Sequence, residues 1–379
     1  MNRKILFLLT ISSLFCSCQS GANNAATPVA ADSLEDTVRK VTLLFAGDLM
    51  QHQGQINAAR LPDGTYDYTD CFALVKDEIS RYDIAVANLE VTLPGPPYAG
   101  YPQFRCPDAF LEAAWQAGFD VMLTANNHCC DSRQKGLERT IHVLDSLGVT
   151  HLGTYVDAAT RAKNYPLIIE RNGIRIAMLN YTYDTNGIPV TKPNEVNLID
   201  KQQIAADIAR AKQLQPDVII ANMHWGIEYV LTPDKQLRDL ADWLLAQGVD
   251  HIIGGHPHVV QPVEVRTDAQ GKSHLVAWSL GNYISNMTKD NTEVGLMVRM
   301  ELQKDSLTRM TDCGYTITFC SRPAVSGRRV HTVLPSSYPQ EQMKSAERER
   351  FSRNIATARK LFKQHNVGIE EYSILSIDN

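Results

Sequence analysis

Apolar runs and segments of helical periodicity alternate along the first two thirds of the chain. Buried strands are predicted where the runs are rich in β-branched residues, at 41–46, 83–87, 119–125, 218–221 and 251–254. Helices are predicted between them, at 71–81, 107–117, 134–147, 201–214 and 234–247. Because strands and helices alternate, this pattern favours an α/β sheet.

Strand patterns follow one another with little helix between them in other parts of the chain. Asn172-Gly173 is a hairpin signal between the apolar runs 166–170 and 174–180. Further strands are predicted at 259–266, 274–279, 294–303 and 315–320. The pattern therefore predicts a second, β-rich sheet. The charged stretch 340–364 has helical periodicity, and we interpret residues 326–379 as a C-terminal helical extension.

The first residues have the pattern of a targeting segment. Arg3 and Lys4 precede an apolar run over residues 5–15, which is too short to span a bilayer and is typical of a secretory signal peptide. Cys18, preceded by a small residue, resembles the lipidated cysteine of a bacterial lipobox, with Cys16 as the second choice. An ordinary signal peptide with incidental cysteines is the alternative.

These features predict the organisation of the chain and its location. Residues 1–18 are expected to be a lipoprotein signal peptide and 19–38, rich in Ala, Ser, Asn and Thr, a flexible tether. Residues 39–325 would form the folded domain that carries the chemistry. The expected location is the bacterial cell envelope, outside the cytoplasm and anchored to a membrane by lipid.

Composition narrows the classes of protein that remain. The 379 residues are 44% hydrophobic, which excludes a disordered chain. The 37 basic and 42 acidic residues give a net charge of −5, so no global basic field argues for nucleic acid. Eight cysteines in a chain this long do not make a disulfide scaffold.

Polar residues of the types that serve as metal ligands follow the predicted strands. They are Asp48, Asn88, Glu90, Asn126, Asn127, His128, His224, His256 and His258. Sites in α/β sheets form beyond the carboxyl ends of strands, and carboxylate, amide and imidazole ligands suit Zn, Mn or Fe. Since the ligands exceed what one tetrahedral ion needs, two ions bridged by a carboxylate are expected.

Each of these signals also has an ordinary structural explanation. Asp48 after a glycine could belong to a turn, Glu90 could be a solvated loop acid, and His224 alone could be a core histidine. Asparagines at 126 and 127 could cap a helix or form a turn. His256 and His258 are harder to explain in this way. Pro257 fixes the backbone between them, so both rings can converge on one site. The repeated occurrence at strand ends favours a shared site.

The order of these motifs resembles that of a known family. The motifs are Ala46-Gly47-Asp48-Leu49-Met50, Ala87-Asn88-Leu89-Glu90, Ala125-Asn126-Asn127-His128 with Asp131, His224-Trp225-Gly226, Gly255-His256-Pro257-His258-Val259 with Gln261, and Ser279-Leu280-Gly281-Asn282-Tyr283. Together they resemble the bacterial capsule-synthesis CapA family, which is named for poly-γ-glutamate capsules and belongs with the calcineurin-like metallophosphoesterases. The resemblance covers residues 41–286.

The resemblance implies an α/β fold, a four-layer αββα sandwich of the metallophosphatase type, with two divalent ions (Mn, Zn or Fe) at the strand ends. The implied metal ligands are Asp48, Glu90 as the bridge, Asn127, His224, His256 and His258. His128 would act on the substrate as a catalytic residue, oriented by Asp131. The sequence departs from the wider phosphoesterase pattern at Met50, where a histidine is usual; His52 is the alternative ligand.

The substrate and its contacts are less constrained by the sequence. Expected substrate contacts are Asn88, Asn126, Arg105, Trp225 and Tyr181, with Tyr183 as an alternative to Tyr181. Three functions remain open: a hydrolase of an anionic envelope polymer such as poly-γ-glutamate, a phosphoesterase of phosphorylated envelope molecules or nutrients, and a non-catalytic accessory protein of capsule assembly. Membrane contact through the lipid and capsule-assembly proteins are the expected partners, and nucleic acid is not.

The lipobox interpretation predicts that Cys18→Ala releases the protein from the membrane fraction, because the thioether to the lipid cannot form. Cell fractionation followed by immunoblotting measures the partition. Cys16→Ala is the matched control and should stay in the membrane fraction. Unchanged membrane partition of Cys18→Ala would contradict the lipobox.

Overall fold

The computed structural model describes residues 38–374. The predicted signal peptide with Cys18, and the predicted tether as far as residue 37, lie outside these residues. Within the described range, no helix combines the length and the apolar character needed to cross a bilayer.

Seventeen strands lie in the described part of the chain. In chain order they are β1 (Arg39–Leu49), β2 (Ile84–Leu89), β3 (Val121–Leu123), β4 (Thr150–Leu152), β5 (Thr154–Tyr155), β6 (Leu167–Arg171), β7 (Ile174–Thr182), β8 (Glu195–Val196), β9 (Val218–His224), β10 (His251–Gly255), β11 (Val263–Thr267), β12 (Ser273–Ala277), β13 (Asn282–Ile284), β14 (Val294–Lys304), β15 (Thr308–Ser321), β16 (Thr332–Pro335) and β17 (Glu370–Glu371).

Helices lie between the strands. They are α1 (Gln53–Ala59), α2 (Lys76–Ile79), α3 (Asp108–Gln116), α4 (Arg133–Leu147), α5 (Ala158–Asn164), α6 (Lys201–Gln213), α7 (Lys235–Ala246), α8 (Pro323–Ser326) and α9 (Ser345–His365). Only α2 is α-helical within the segment 71–81, which is shorter than the sequence pattern predicts. Helix α4 ends at Leu147 and is followed by Gly148, whose φ of 70° is a left-handed conformation that glycine adopts without strain.

Two large sheets form the body of the described domain. The larger has the order β16-β15-β14-β1-β2-β3-β4, with β13 paired to β1 and β17 to β15. Strands β1 to β4 run parallel to one another, whereas β14 to β16 form an antiparallel extension. The second sheet has the order β11-β12-β10-β9-β7-β6. The predicted β-rich sheet is thus divided between an extension of the first sheet and the edges of the second.

The alternation of side chains along β1 shows how the layers are stacked. Leu43 and Phe45 join the core that the two sheets share, together with Ile220 of β9. Leu44 and Ala46 point to the other face and pack in the core formed with α2, α3 and α4. Helices α6 and α7 contribute to the core of the second sheet. The layers are therefore helix, sheet, sheet, helix, and the predicted αββα sandwich is confirmed.

The C-terminal segment is built into this body more deeply than the sequence pattern indicates. The segment predicted as a helical extension does contain α9, whose Phe351 and Phe362 pack against Phe319 and Tyr315 of β15. It also supplies β16 and β17, which pair with β15. These strands are too short for an alternating pattern to be recognised in the sequence.

Buried His251 predicts a pH dependence of folding stability. Burial lowers the pKa of His251 from 6.5 to about 4, and its Nδ1 accepts the backbone N–H of Leu275 at 3.0 Å, which a protonated ring cannot do. The unfolded chain therefore binds the proton first, and stability falls as the pH drops from about 6.5 to about 4, by roughly 3 kcal/mol from this group. Denaturant unfolding across this pH range measures the loss.

The matched variant for this prediction is His251→Asn. Its side-chain oxygen takes the place of Nδ1 as an acceptor but does not titrate. The other buried histidines are present in both proteins, so the difference between the two pH profiles isolates His251. Equal slopes for the wild type and the variant between pH 6.5 and pH 4 would contradict the prediction.

Candidate metal centre

The registers of the parallel strands bring the predicted ligands to one edge of the sandwich. In the larger sheet Asp48 pairs with Asn88, and Glu90 follows two residues later. In the second sheet His224 pairs with Gly255, which is followed directly by His256. Both sheets therefore deliver ligands from the carboxyl ends of their strands, where sites in α/β proteins form.

Two groups of ligands share one carboxylate. Glu90 lies with His256 and His258 in one group and with Asp48 and His224 in the other. Within each group the ligand atoms lie within 4.8 Å of one another, and all five residues are buried. A carboxylate common to two such groups is the arrangement that the sequence predicts for a bridge, although whether each residue binds metal remains a prediction.

Asn88 holds the two carboxylates in place. Its Nδ2 donates to Asp48 Oδ1 at 2.8 Å and to Glu90 Oε2 at 3.1 Å, and it lies 3.3 Å from His224 Nδ1. Asn126 in turn donates to the side-chain oxygen of Asn88 at 3.2 Å. The sequence analysis assigned Asn88 and Asn126 to substrate contact. In the structure both amides hold groups of the protein in place, and their contact with a substrate stays a prediction.

One oxygen of each carboxylate remains without a hydrogen bond. Among residues 38–374, the buried atoms Asp48 Oδ2, Glu90 Oε1 and His256 Nδ1 have no hydrogen-bond partner. Unsatisfied buried oxygens are costly, and a cation compensates them better than any neutral donor. The donor set of carboxylate, amide and imidazole also suits a divalent transition ion. These observations fit a metal site.

The pKa shifts of the histidines in the cluster agree with this chemistry. Burial, reinforced by the nearby Asp48 carboxylate, raises the pKa of Glu90 well above its usual value. Burial, with the neighbouring histidines, holds the pKa of His224 well below 6.5 and lowers the pKa of His256 to about 3. Neutral imidazoles are the form that binds metal, so the histidine ligands need not lose a proton when an ion binds.

The backbone around Pro257 is strained in order to present its two histidines. His256 has φ 99° and His258 has φ 57°, values that L residues rarely adopt and that cost of order 1–3 kcal/mol each. The Pro257 carbonyl accepts the N–H of Tyr229 at 2.8 Å, and His258 Nδ1 lies 3.0 Å from Asn282 Oδ1. The surrounding contacts therefore maintain a conformation that both rings need.

Close backbone packing explains the glycine of the first motif. A Cβ at Gly47 would lie 2.0 Å from the carbonyl oxygen of Gly281, the residue before β13. Only glycine allows that approach. The first motif and the last one therefore meet in space behind Asp48.

Asn186 orients a predicted ligand. Asn127 Oδ1 lies 2.8 Å from His224 Nε2, while its Nδ2 donates to Asn186 Oδ1 at 3.1 Å. Because the amide nitrogen is occupied by Asn186, the oxygen is the atom presented to the ligand cluster. No periodicity or motif in the sequence indicates Asn186, and the motif that contains Asn282 does not predict the role of its side chain.

His128 and Asp131 form a pair, as predicted. Asp131 Oδ2 lies 2.8 Å from His128 Nδ1 and also accepts the N–H of Phe104 at 2.8 Å. Since a carboxylate only accepts, the proton of this bond resides on Nδ1 and leaves Nε2 free to exchange one. The ring of Phe104 meets that of His128 edge-on at 4.5 Å.

The predicted aromatic contacts separate into core and rim. Tyr181 is fully buried, and its hydroxyl donates to Asp207 at 2.9 Å. Trp225 is also buried, stacks on Trp278 and donates to its carbonyl oxygen. Neither is therefore available to a substrate, and the predictions for both are corrected. The alternative, Tyr183, is partly exposed and its ring lies 4.4 Å from that of His256.

Two other residues from the sequence analysis, Arg105 and His52, are not members of the shared ligand groups. Arg105 is half-buried and donates through Nε to the carbonyl oxygen of Pro97 at 3.0 Å. His52, the alternative ligand for the position of Met50, lies 3.3 Å from Gln55 through Nδ1, and the same nitrogen accepts the N–H of Asn286. Burial lowers the pKa of His52 to about 4. Neither candidate ligand group in residues 38–374 contains it.

Comparison with known proteins places the same region in one family. The family model for the bacterial capsule synthesis protein PGA_cap matches residues 42–287. This range contains every predicted ligand and the His128–Asp131 pair.

Two curated relatives match in sequence. The capsule biosynthesis protein CapA of Bacillus anthracis is 30% identical over 209 residues, which are 53% of this chain and 48% of that protein. The PGA biosynthesis protein CapA of Bacillus subtilis (strain 168) is 28% identical over 195 residues, 50% of this chain and 49% of that protein. The chain thus spans about half the length of the curated relatives it matches.

Solved structures resemble the chain more distantly. The NAD nucleotidase of Haemophilus influenzae has 11% identity and a TM-score of 0.47, covering 89% of this chain and 65% of its own. The calcineurin-like phosphoesterase YfkN of Bacillus subtilis has 14% identity and a TM-score of 0.45, covering 85% and 97%.

The positive φ values of His256 and His258 allow both ligands to be replaced by glycine without backbone strain. In the double variant His256→Gly with His258→Gly, the ligands are lost while glycine accepts both positive φ values. We expect loss of bound metal and of the stabilisation by added Mn or Zn, which is about 2.7 kcal/mol at a hundredfold excess over Kd. Elemental analysis and thermal unfolding measure the two effects.

The exposed His142 supplies the control for this experiment. His142→Gln removes an imidazole outside the cluster and should keep the metal content of the wild type. If the double variant folds and retains that content, the ligand assignment is wrong.

Proposed function

The chain belongs to the bacterial capsule synthesis family, and from that premise we propose that it is a metal-dependent hydrolase of an anionic cell-envelope polymer. The proposal also includes anchoring at the envelope membrane through Cys18. The observation that carries it is the pair of ligand groups that share Glu90, with a buried oxygen of each carboxylate left unsatisfied.

Two divalent ions, with Mn, Zn or Fe as candidates, suit this ligand set. Asp48 and His224 would hold one ion, His256 and His258 the other, Glu90 would bridge them, and Asn127 would complete the first. Bound divalent ions supply Lewis-acid polarisation of the scissile group and make water nucleophilic near neutral pH. The chain supplies fixed geometry, because Asn88 and Asn282 hold Asp48, Glu90 and His258.

His128 is the residue suited to proton transfer to the leaving group. Its Nδ1 is committed to Asp131, so Nε2 is the nitrogen that would donate. Asp131 is itself fixed by the backbone N–H of Phe104, which prevents the pair from rotating. This arrangement holds the ring in one orientation and one tautomer, and such preorganisation lowers the cost of the transfer.

Capsule polymer rather than a small phosphorylated molecule is favoured by family membership. The family description and the names of both relatives refer to capsule or PGA biosynthesis, and in those proteins the matched region is about half of the chain. Phosphoesterase activity and a purely structural role in capsule assembly are the two alternatives that the experiment separates.

The test uses the purified protein loaded with Mn or Zn and two substrates, poly-γ-glutamate and an aryl phosphate. We expect the polymer to be shortened, as measured by size-exclusion chromatography, and the aryl phosphate to be spared. Glu90→Gln should reduce the rate by about 10²-fold or more, since the shared carboxylate loses its charge without a change of size.

His142→Gln again serves as the control and should retain full activity. Turnover of the aryl phosphate alone would favour the phosphoesterase. Metal binding without turnover of either substrate would reject hydrolysis and leave the accessory role.

A further inference from the structure

A polar cavity lies between the loop after β13 and helix α9. Its volume is about 360 Å³, and one face of α9 lines it together with the loop residues Thr288, Lys289, Asp290, Asn291 and Glu293. Three cationic side chains take part, Lys289 on the loop and Arg350 and Arg353 on the helix. None of these residues was singled out by the sequence, and none belongs to the ligand cluster.

The charges around this cavity are unbalanced. The buried carboxylate of Glu293 forms an ion pair with Arg350, whose Nη2 lies 2.8 Å from Oε2. It also forms an ion pair with Arg322, so two guanidinium groups contact one carboxylate. Arg353 is exposed, and its Nη1 lies 3.7 Å from Oε1 of the exposed Glu349. Asp290 is a further carboxylate in the lining, so three cations (Lys289, Arg350 and Arg353) face two carboxylates (Asp290 and Glu293), in a protein whose net charge is −5.

Donor groups remain available after these pairs are formed. Arg350 binds Glu293 through Nε and Nη2, which leaves Nη1 outside the pair. The neutral side chains Asn291 and Thr357 also line the cavity. Guanidinium forks and ammonium groups are the donors that bind carboxylates and phosphates.

The cavity is connected to the metal centre by two contacts. Lys289 Nζ lies 3.6 Å from the ring centroid of Tyr229, whose ring lies 6.3 Å from that of His258. The ammonium is thus no more than about 10 Å from a predicted metal ligand. Such cation–π contact restrains the lysine while leaving its N–H donors free.

Hydrogen bonds hold the loop in position relative to the centre. Asn282 Oδ1 contacts His258 Nδ1, and its Nδ2 donates to the carbonyl oxygen of Thr292 at 3.1 Å. The hydroxyl of Thr292 donates to the carbonyl oxygen of Lys289 at 2.6 Å. The loop that carries Lys289 is therefore preorganised by the same residue that orients a ligand.

We propose that this cavity is an anion-binding site distinct from the candidate metal centre, and that it takes a carboxylate or phosphate group of an extended anionic molecule. Its role in substrate binding rests on the proposed function, because a polymer that reaches the metal centre would place a further negative group here. Binding of the anion itself does not depend on hydrolysis.

The test measures binding to the full-length protein stripped of metal, where no hydrolysis can occur. The probes are a linear glutamate oligomer and inorganic tripolyphosphate, with a glutamine oligomer as the uncharged control, and calorimetry gives Kd at low salt. We expect an anionic probe to bind, the glutamine oligomer not to bind, and affinity to fall as salt is raised. The tighter probe identifies carboxylate or phosphate as the source.

The decisive variant is Lys289→Gln with Arg353→Gln, which removes two exposed cations from the cavity and keeps the buried pairs of Glu293. We expect its Kd to rise about tenfold or more. Lys360→Gln with Lys363→Gln is the matched control, since both residues are exposed on the same helix and neither lines the cavity. Its Kd should change less than twofold.

Three results would overturn the proposal. The first is that neither anionic probe binds to the wild type. The second is an equal loss of affinity in the two double variants. The third is an affinity that the cavity variant leaves unchanged. If the metal-loaded wild type hydrolyses neither substrate but the metal-free protein binds an anionic probe, the proposed function is rejected and the anion-binding site is retained.

Discussion

The placement of two carboxylates in a dry environment is the constraint on which the rest of the centre depends. Asp48 and Glu90 are both fully buried, and a single amide, that of Asn88, donates to one oxygen of each. The other two oxygens have no donor among the described residues. Like charges so close together in a low-dielectric interior repel strongly, and a divalent cation relieves both the repulsion and the unsatisfied oxygens. The neutral histidines around them complete a ligand set.

The centre also depends on how the two sheets are packed. Asp48 and Glu90 come from the larger sheet, whereas His224 and His256 follow strands of the smaller one. Because the shared core joins β1 to β9 and β10, a shift between the sheets would separate the carboxylates from the imidazoles. The strained backbone at His256 and His258 lies at this junction, and packing stabilises it against its conformational cost.

Asn282 extends this order beyond the ligands. One atom of its amide contacts His258 and another holds the loop that carries Lys289. The candidate metal centre thus lies beside a cavity whose lining has one more cation than carboxylates. An extended anion with several negative groups would be recognised by both, while a small molecule would reach only one of them.

Much of the fold and most of the cluster could be predicted from the sequence. Short-range patterns are sufficient to predict strands and helices. The polar residues at strand ends are local signals too, so the sequence alone predicts Asp48, Glu90, His224 and His256 as ligands. The roles of particular side chains were less predictable. Trp225 belongs to a motif and Tyr181 lies at the end of a predicted strand, yet the packing of the fold places both side chains in the core.

Tertiary structure alone decided which distant residues meet. Asn88 and Asn126 orient other groups, Asn186 turns the amide of Asn127, and Asn282 and Lys289 connect the centre to its neighbouring cavity. Contacts between residues far apart in sequence leave no periodic signal, because they depend on registers between strands and on the packing of two sheets. The sequence by itself therefore determined the types of ligand and their place at the strand ends. The three-dimensional fold decided their partners, their orientation and the position of the charged cavity.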